Sequence, residues 1–458
     1  MKKQSYYFAA FLALLLCFGA DNVKSQQLSA GYGHTHAICT DGTVWGWGYT
    51  DKGALGNGSS TGSVSPVLLS QLSNFWTISA GHGYSIGLKK DSTVWAWGDN
   101  PSVLSFTGTI GILVPKQIVM AGKIIAVATG NNHVLVLKSD GTVWAWGSNF
   151  SGELGNGLSA SNFVPVKVSN LTNVVAIDAG GGHSLAILKD GSVWAWGYNA
   201  SGQLGNGLTT NSNIPVKVNT VFNIRAVAAG NIFSMAVNND GILWCWGDNS
   251  TGQLGLGNFV NSSVPVLSTF TGVAQVDAGN QHAIALKYDG TIWGWGSNSF
   301  GQVGNGSIVT TNVPKKANLI DVTFVACGLY HSTALKNDGS LWTWGNNISG
   351  ELGDGTTTVV HSPKKVSGMC LIANALDERS SDINFEVFPN PASDHIIIAT
   401  ENNEPIRIDI FNLIGEKIQM QQNDFTSNTR IDLHLPVGVY FFLMKGSTLR
   451  SVKKIIIQ

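Results

Sequence analysis

From residue 27 to about residue 367, short apolar runs alternate with breaks rich in Gly, Asp and Asn, and the pattern renews itself about every 50 residues. In one copy, Ala179-Gly180-Gly181-Gly182-His183-Ser184 leads into the apolar run 185–188, Lys189-Asp190-Gly191 breaks it, and Ser192-Val193-Trp194-Ala195-Trp196-Gly197 resumes. Runs this short, bounded by turn residues, predict β-strands. An Asp-Gly pair between two of them predicts a tight hairpin, because Gly tolerates the positive φ such a turn needs. The pair recurs at Asp41-Gly42, Asp140-Gly141, Asp240-Gly241, Asp289-Gly290 and Asp338-Gly339, with Asp91-Ser92 in the second copy. Alternate residues of a strand share a face, so both Trp of the Trp-x-Trp-Gly tetrad point one way and the small Ala195 the other. That small position reads Gly46, Ala96, Ala145, Cys245, Gly294 and Thr343 elsewhere. A Gly-rich connection over 198–207 follows, then Pro215-Val216-Lys217-Val218 and 224–228 predict two further strands, the Pro standing at a strand start where a missing N–H is tolerated.

The tetrad occurs seven times, at Trp45/Trp47, Trp95/Trp97, Trp144/Trp146, Trp194/Trp196, Trp244/Trp246, Trp293/Trp295 and Trp342/Trp344, with steps of 49 or 50 residues. So steady a period marks a repeat architecture whose units bury their faces only against neighbours. Two buried Trp per unit are expected to fill the gaps between radially stacked sheets.

The pattern Ala-Gly-x-x-His-Ser, Asp-Gly, Val-Trp-Ala-Trp-Gly, Gly-Gln-Leu-Gly-Asn-Gly, Pro-x-x-Val resembles the RCC1-type repeat (regulator of chromosome condensation). The resemblance implies an all-β, seven-bladed propeller over residues 26–367. Kelch repeats have a similar period but lack the paired Trp. The second copy departs from the pattern, with Asp99-Asn100-Pro101-Ser102-Val103-Leu104 in place of the Gly-Gln-Leu-Gly loop. Because the first copy begins abruptly at Leu28-Ser29-Ala30-Gly31 and the last ends on Ser362-Pro363-Lys364-Lys365-Val366, the ring is expected to close by overlap, its carboxyl end lending a strand to the first blade.

The amino-terminal segment predicts export, and composition agrees with an exported β-protein. Met1-Lys2-Lys3, an apolar segment from Tyr6 to Ala20 and Val23-Lys24-Ser25 read as a signal peptide over 1–25, with an apolar core too short to span a bilayer stably. Charged residues make up 12% of the chain and the formal net charge is -1, without a basic stripe. Nucleic-acid and anionic-membrane binding thereby lose their electrostatic basis. Cys39, Cys245, Cys327 and Cys370 fall at different repeat phases, three of them at apolar positions, and are expected to be buried and unpaired. No spacing of Cys and His marks a metal site, and no cofactor motif stands out.

His34, His133, His183, His282 and His331 share one phase of the repeat, with Tyr84 and Phe233 in the other two copies. A catalytic role would not be copied five times and then handed to aromatics, so these rings are expected to pack structurally. Asp178 and Asp277, two repeats apart, are expected to be isolated, solvated carboxylates. The residues between the turn Gly and the His phase vary from copy to copy, and Tyr32, His82, Asn131, Ile232, Gln281 and Tyr330 are the candidate binding rim.

After a linker over 368–384 the composition changes. Phe388-Pro389-Asn390-Pro391-Ala392, Gly415-Glu416-Lys417-Ile418, Gly438-Val439-Tyr440-Phe441 and the terminal Lys453-Lys454-Ile455-Ile456-Ile457-Gln458 follow in order. Residues 385–458 resemble the type A C-terminal sorting domain of the type IX (Por) secretion system of Bacteroidetes. The resemblance implies a small immunoglobulin-like sandwich read by the export machinery, with Pro389, Asn390, Pro391, Gly415, Gly438, Tyr440, Lys453 and Lys454 as its landmarks. It implies passage through the periplasm to the cell surface or beyond.

No catalytic constellation is visible, so the sequence reads as a non-enzyme: a monomeric, secreted or surface-displayed platform for an extracellular protein or glycan, with no membrane span in the mature chain. Inhibition of a secreted enzyme, as by β-lactamase-inhibitory propellers of this repeat type, is the alternative, and a polysaccharide-active enzyme comes behind it. Guanine-nucleotide exchange, the activity of the eukaryotic namesake, does not fit an exported chain.

Overall fold

The computed structural model describes residues 28–39, 41–50, 53–104, 111–369, 385–390, 392–400, 406–411, 417–423, 429–433, 435–445 and 450–457. The signal peptide over 1–25, Cys370, Pro391, Gly415 and all but the first two residues of the linker lie outside the described residues. One compact unit lies within Val23–Ala375 and another within Leu376–Gln458.

The first unit is a seven-bladed propeller. Its four-stranded antiparallel sheets span 28–73, 75–118, 124–167, 174–217, 224–271, 273–316 and 322–365. In the fourth blade Val174–Ala179 lies innermost, followed outward by His183–Leu188, Val193–Gly197 and Ser212–Lys217. The hairpin carboxylates act as expected for such turns: Asp190 Oδ1 accepts from both the backbone N–H and the hydroxyl of Ser192, at 2.9 and 2.6 Å. The tetrad Gly is required by its backbone. Gly197 has φ +101°, and a Cβ there would stand 2.6 Å from the Gly182 carbonyl. In the second blade a short helix, α1 (Pro101–Leu104), stands where other blades carry the Gly-Gln-Leu-Gly loop.

The ring closes without the expected overlap. Leu28–Ala30 is the innermost strand of the first blade, which completes itself with His34–Ile38, Thr43–Gly48 and Ser63–Ser73. Val360–Lys365 is the outer strand of the seventh. The seam is held face to face by the contacts used at other junctions: Trp47 of blade one packs among Leu335, Leu341 and Val366 of blade seven.

The two Trp of the tetrad differ in burial. The second ring (Trp47, Trp97, Trp146, Trp196, Trp246, Trp295, Trp344) is fully buried in every blade, against the face of the preceding blade. The first is half-buried in six blades, Trp244 being the buried exception. Trp95 donates to its hairpin's Thr93 at 2.8 Å and lies under the Lys89 ammonium at 4.2 Å. Cys245 and Cys327 are buried thiols, but Cys39 is disulfide-bonded, which corrects the expectation that it is unpaired.

One hydrogen-bond relay repeats across the junctions and explains the His phase. His133 Nε2 meets Ser184 Oγ of the next blade at 3.0 Å, Ser184 donates to the Glu153 carbonyl at 3.0 Å, and that carbonyl also takes Trp196 Nε1–H at 2.8 Å. The same chain runs through His34–Ser85–Ala54, His183–Ser234–Gln203, His282–Ser332–Gln302 and, across the seam, His331–Thr35–Glu351. Because the hydroxyl proton is spent on the carbonyl, the imidazole must donate through Nε2–H. Nδ1 is left a bare acceptor, and among the described residues it has no partner in His183, His282 or His331. Burial pushes these rings well below the usual imidazole range, to about 4 in His133 and His331 and about 3 in His183 and His282.

The exceptions follow the same logic. Where the His becomes Tyr84 or Phe233, the hydroxyl partner in the next blade becomes Val134 or Ala283. Tyr84 OH bonds instead to the Gly130 and His133 carbonyls, both at 2.9 Å. Trp146, facing α1 instead of a Gly-Gln-Leu-Gly loop, has no partner for Nε1–H among the described residues. Trp196→Phe removes a buried hydrogen bond and is expected to cost ~1–2 kcal/mol more than Trp146→Phe, which removes none. Parallel urea titrations of the two variants check this.

The described strands of the second unit form two antiparallel sheets. One comprises Phe385–Phe388, His395–Thr400 and Thr429–Asp432; the other comprises Ile406–Phe411, Lys417–Asn423, Gly438–Lys445 and Arg450–Ile457. Ile396, Ile408, Ile410, Ile431, Tyr440 and Ile455 share one apolar cluster. Pro389 and Asn390 follow the first strand, Gly438 and Tyr440 stand at the start of the penultimate one, and Lys453 and Lys454 pair with Phe442 and Phe441. Tyr440 OH donates to the Pro436 carbonyl at 2.8 Å.

Candidate functional site at the channel mouth

All seven first turns, those joining each blade's innermost strand to its second, converge on the propeller axis. They leave a cavity of about 90 Å³ at the channel mouth. The turns hold one another: Tyr32, Gly181, Asn231, Asn280 and Leu329 each donate a backbone N–H to a carbonyl in the next blade's turn, at 3.1–3.2 Å. The last of these, Leu329 N–H to Gly31 O at 3.1 Å, crosses the seam. The turn Gly is obligatory, since a Cβ on Gly180 would lie 2.2 Å from the Gly230 carbonyl and 2.5 Å from the His183 ring. Between blades two and three the backbone link is replaced by Asn100, whose amide reaches the Asn131 carbonyl and Asn132 Oδ1, each at 3.0 Å.

The first variable residue of each turn lines the mouth: Tyr32, His82, Asn131, Gly181, Asn231, Asn280 and Leu329. Of the six rim candidates, Tyr32, His82 and Asn131 are therefore at the mouth. Ile232, Gln281 and Tyr330 are one residue too late, and Asn231, Asn280 and Leu329 take their places. The second variable position faces its own blade's outer loop: a Cβ on Gly33 or Gly182 would stand 3.0 or 3.3 Å from the Cβ of Tyr49 or Tyr198. Tyr330 contributes indirectly, its hydroxyl accepting from Asn280 Nδ2 at 3.1 Å.

Two contacts organise the mouth. The Tyr32 and His82 rings lie 4.1 Å apart between centroids, inclined by 59°. Asn131 Nδ2 reaches Asn231 Oδ1 at 3.4 Å, passing over Gly181, where a Cβ would stand 1.9 Å from Asn231 Oδ1.

Asp178 and Asp277 lie in the wall below the mouth and are not the solvated carboxylates expected. Asp178 Oδ2 accepts the Ala229 N–H at 2.8 Å and Asp277 Oδ2 the Cys327 N–H at 2.7 Å, each tying its innermost strand to that of the following blade. Ser29 does the same for Ala80 at 2.9 Å. Burial raises Asp178 to about 6, and burial with the charge of Asp178 raises Asp277 to about 7. Among the described residues no group of three or more His, Cys, Asp or Glu side chains gathers in a metal-binding arrangement, and no helix is long and apolar enough to cross a membrane.

Comparison with known proteins decides the family. The RCC1-like domain matches residues 15–268 and 112–381, together most of the chain. The chain belongs to the RCC1-like domain family. The secretion system C-terminal sorting domain matches residues 386–458 of this RCC1-like protein and assigns it to type IX secretion, towards the cell surface or the extracellular space. Among solved structures, human WBSCR16 is 26% identical over 71% of this chain and 94% of its own, with a TM-score of 0.65. Yeast RCC1 (Prp20), solved bound to Kap60, is 25% identical over 66% and 78%, with a TM-score of 0.60. No curated protein matches the chain.

Proposed function

We propose that this RCC1-like protein is an extracellular or surface-displayed binding module whose ligand meets the ring of first turns at the channel mouth. One observation carries the reading. The scaffold repeats the same relay and turn geometry, while the residue each blade presents at the mouth changes from Tyr32 to His82, Asn131, Gly181, Asn231, Asn280 and Leu329. Variable, solvent-facing side chains on a rigid frame are how repeat folds build recognition surfaces. The partly exposed amides and the paired rings of Tyr32 and His82 supply contacts, and binding without turnover needs nothing further.

The test is capture of secreted and cell-surface material by the full chain. Wild type is expected to retain a partner that a Tyr32→Ala/Asn231→Ala double variant loses by tenfold or more. Ala replacements of Leu158, Leu208 and Phe259, exposed apolar side chains on outer loops, are expected to leave capture unchanged. The opposite pattern would move the binding surface to the rim of the disc.

A further inference from the structure

The chemistry of the mouth narrows its ligand, provided the binding-module reading holds. The lining residues include no Lys, Arg, Asp or Glu. An anionic group entering this mouth would lose hydration without a positive charge to replace it, and a cationic one would find no carboxylate in the lining itself, Asp178 and Asp277 being held by backbone N–H groups in the wall below. The lining is also two-sided. Leu329, Tyr32 and His82 come from blades seven, one and two, which adjoin across the seam, and form a continuous apolar and aromatic arc. Asn131, Asn231 and Asn280 come from blades three, five and six and form an arc of amides on the other side, with Gly181 between the first two.

These amides are oriented but not used up. Asn231 Oδ1 accepts from Asn131, and Asn280 Nδ2 donates to Tyr330. Among the described residues, Asn131 Oδ1, Asn231 Nδ2 and Asn280 Oδ1 have no protein partner, so the arc offers both donors and acceptors. The opening of about 90 Å³ has room for several water molecules.

We propose that the mouth binds the uncharged terminal sugar of a glycan. A pyranose matches the lining feature for feature. Its C–H face lies on the Tyr32–His82 arc, and its hydroxyls, each donor and acceptor, meet the amides of Asn131, Asn231 and Asn280. Recognition falls on the chain end, and the remainder of the glycan stays in solvent.

The experiment is isothermal titration of the full chain with neutral di- to tetrasaccharides of glucose, mannose, galactose, xylose and N-acetylhexosamine. Uronate-containing and sulfated oligosaccharides are run beside them, each at 50 and 500 mM NaCl. At least one neutral series is expected to bind with the same Kd at both salt concentrations. Tyr32→Ala, Asn231→Ala and Asn280→Ala should each weaken it tenfold or more, and Leu208→Ala should leave it unchanged. Asn231→Asp, which keeps the shape and alters only charge and donors, should also weaken it, and an unaltered circular dichroism spectrum separates loss of binding from loss of fold. Binding only to charged glycans, or neutral binding indifferent to all three alanines, overturns the proposal. If no glycan binds while the mouth variants still lose a captured protein, the sugar assignment fails and the binding-module reading survives. If capture too is indifferent to the mouth, both fail.

Discussion

Lowering the pH from 7 to 5 is expected to weaken the propeller by several kcal/mol, well before the hairpin carboxylates begin to titrate. His36, His133, His183, His282 and His331 are held at about 4 or about 3, and His34 is likewise depressed, all chiefly by burial. An unfolded imidazole takes a proton near pH 6.5, so below that pH the unfolded chain binds protons that the folded chain refuses. Stability is fully present above 6.5 and falls as the pH descends towards 4, by up to ~1.4 kcal/mol per ring per pH unit. Asp178 and Asp277 act the other way. Raised to about 6 and about 7, they bind protons in the folded state first, and acidification favours folding through them. Six rings against two carboxylates leaves a net loss on the order of 5 kcal/mol by pH 5, comparable to the whole stability of many domains. Urea midpoints of the full chain at pH 7, 6 and 5 should fall steadily. His183→Gln, which carries no titrating ring, should flatten the slope.

Trp246→Ala is expected to be the most damaging single substitution at the blade interfaces, costing ~4–5 kcal/mol. The ring is fully buried and packs among Leu185, Ile187, Val193, Ala195 and Leu204 of the preceding blade. Its removal leaves a cavity and takes one of two donors from the Gln203 carbonyl, the other being Ser234 at 2.9 Å. Trp194→Ala should cost clearly less, because that ring is half-buried and its Nε1 has no partner among the described residues. Equilibrium denaturation of both variants at pH 7 checks the order. Equal losses would mean that the two Trp of the tetrad do the same work.

The repeat made most of the propeller readable. Period, hairpin pairs and the two-residue alternation of the tetrad fix seven four-stranded sheets without reference to any neighbour. The seam was readable too: Leu28-Ser29-Ala30-Gly31 stands in the phase of Ile177-Asp178-Ala179-Gly180, the end of an innermost strand, so the first blade needed no borrowed strand. The same alignment puts Asp178 and Asp277 in the phase of Ser29 and Ser79, a position whose side chain reaches for the neighbouring blade. The mouth was half readable. Variation marked the right turns, but which of two consecutive residues faces the axis depends on how the turn bends. Only the small Gly33, Gly83 and Gly182 hinted that the second position is crowded by its own blade. The pairing of Cys39 had no local signal at all, because a buried and a bonded cysteine look alike in a sequence.

The central claim is that ligands meet the ring of first turns. Hydrogen–deuterium exchange of the full chain, with and without its captured partner, tests it most directly. Protection is predicted at residues 31–33, 81–83, 130–132, 180–182, 230–232, 279–281 and 328–330. Protection confined to the outer strands, or to the Asp-Gly hairpins on the opposite face, would contradict it.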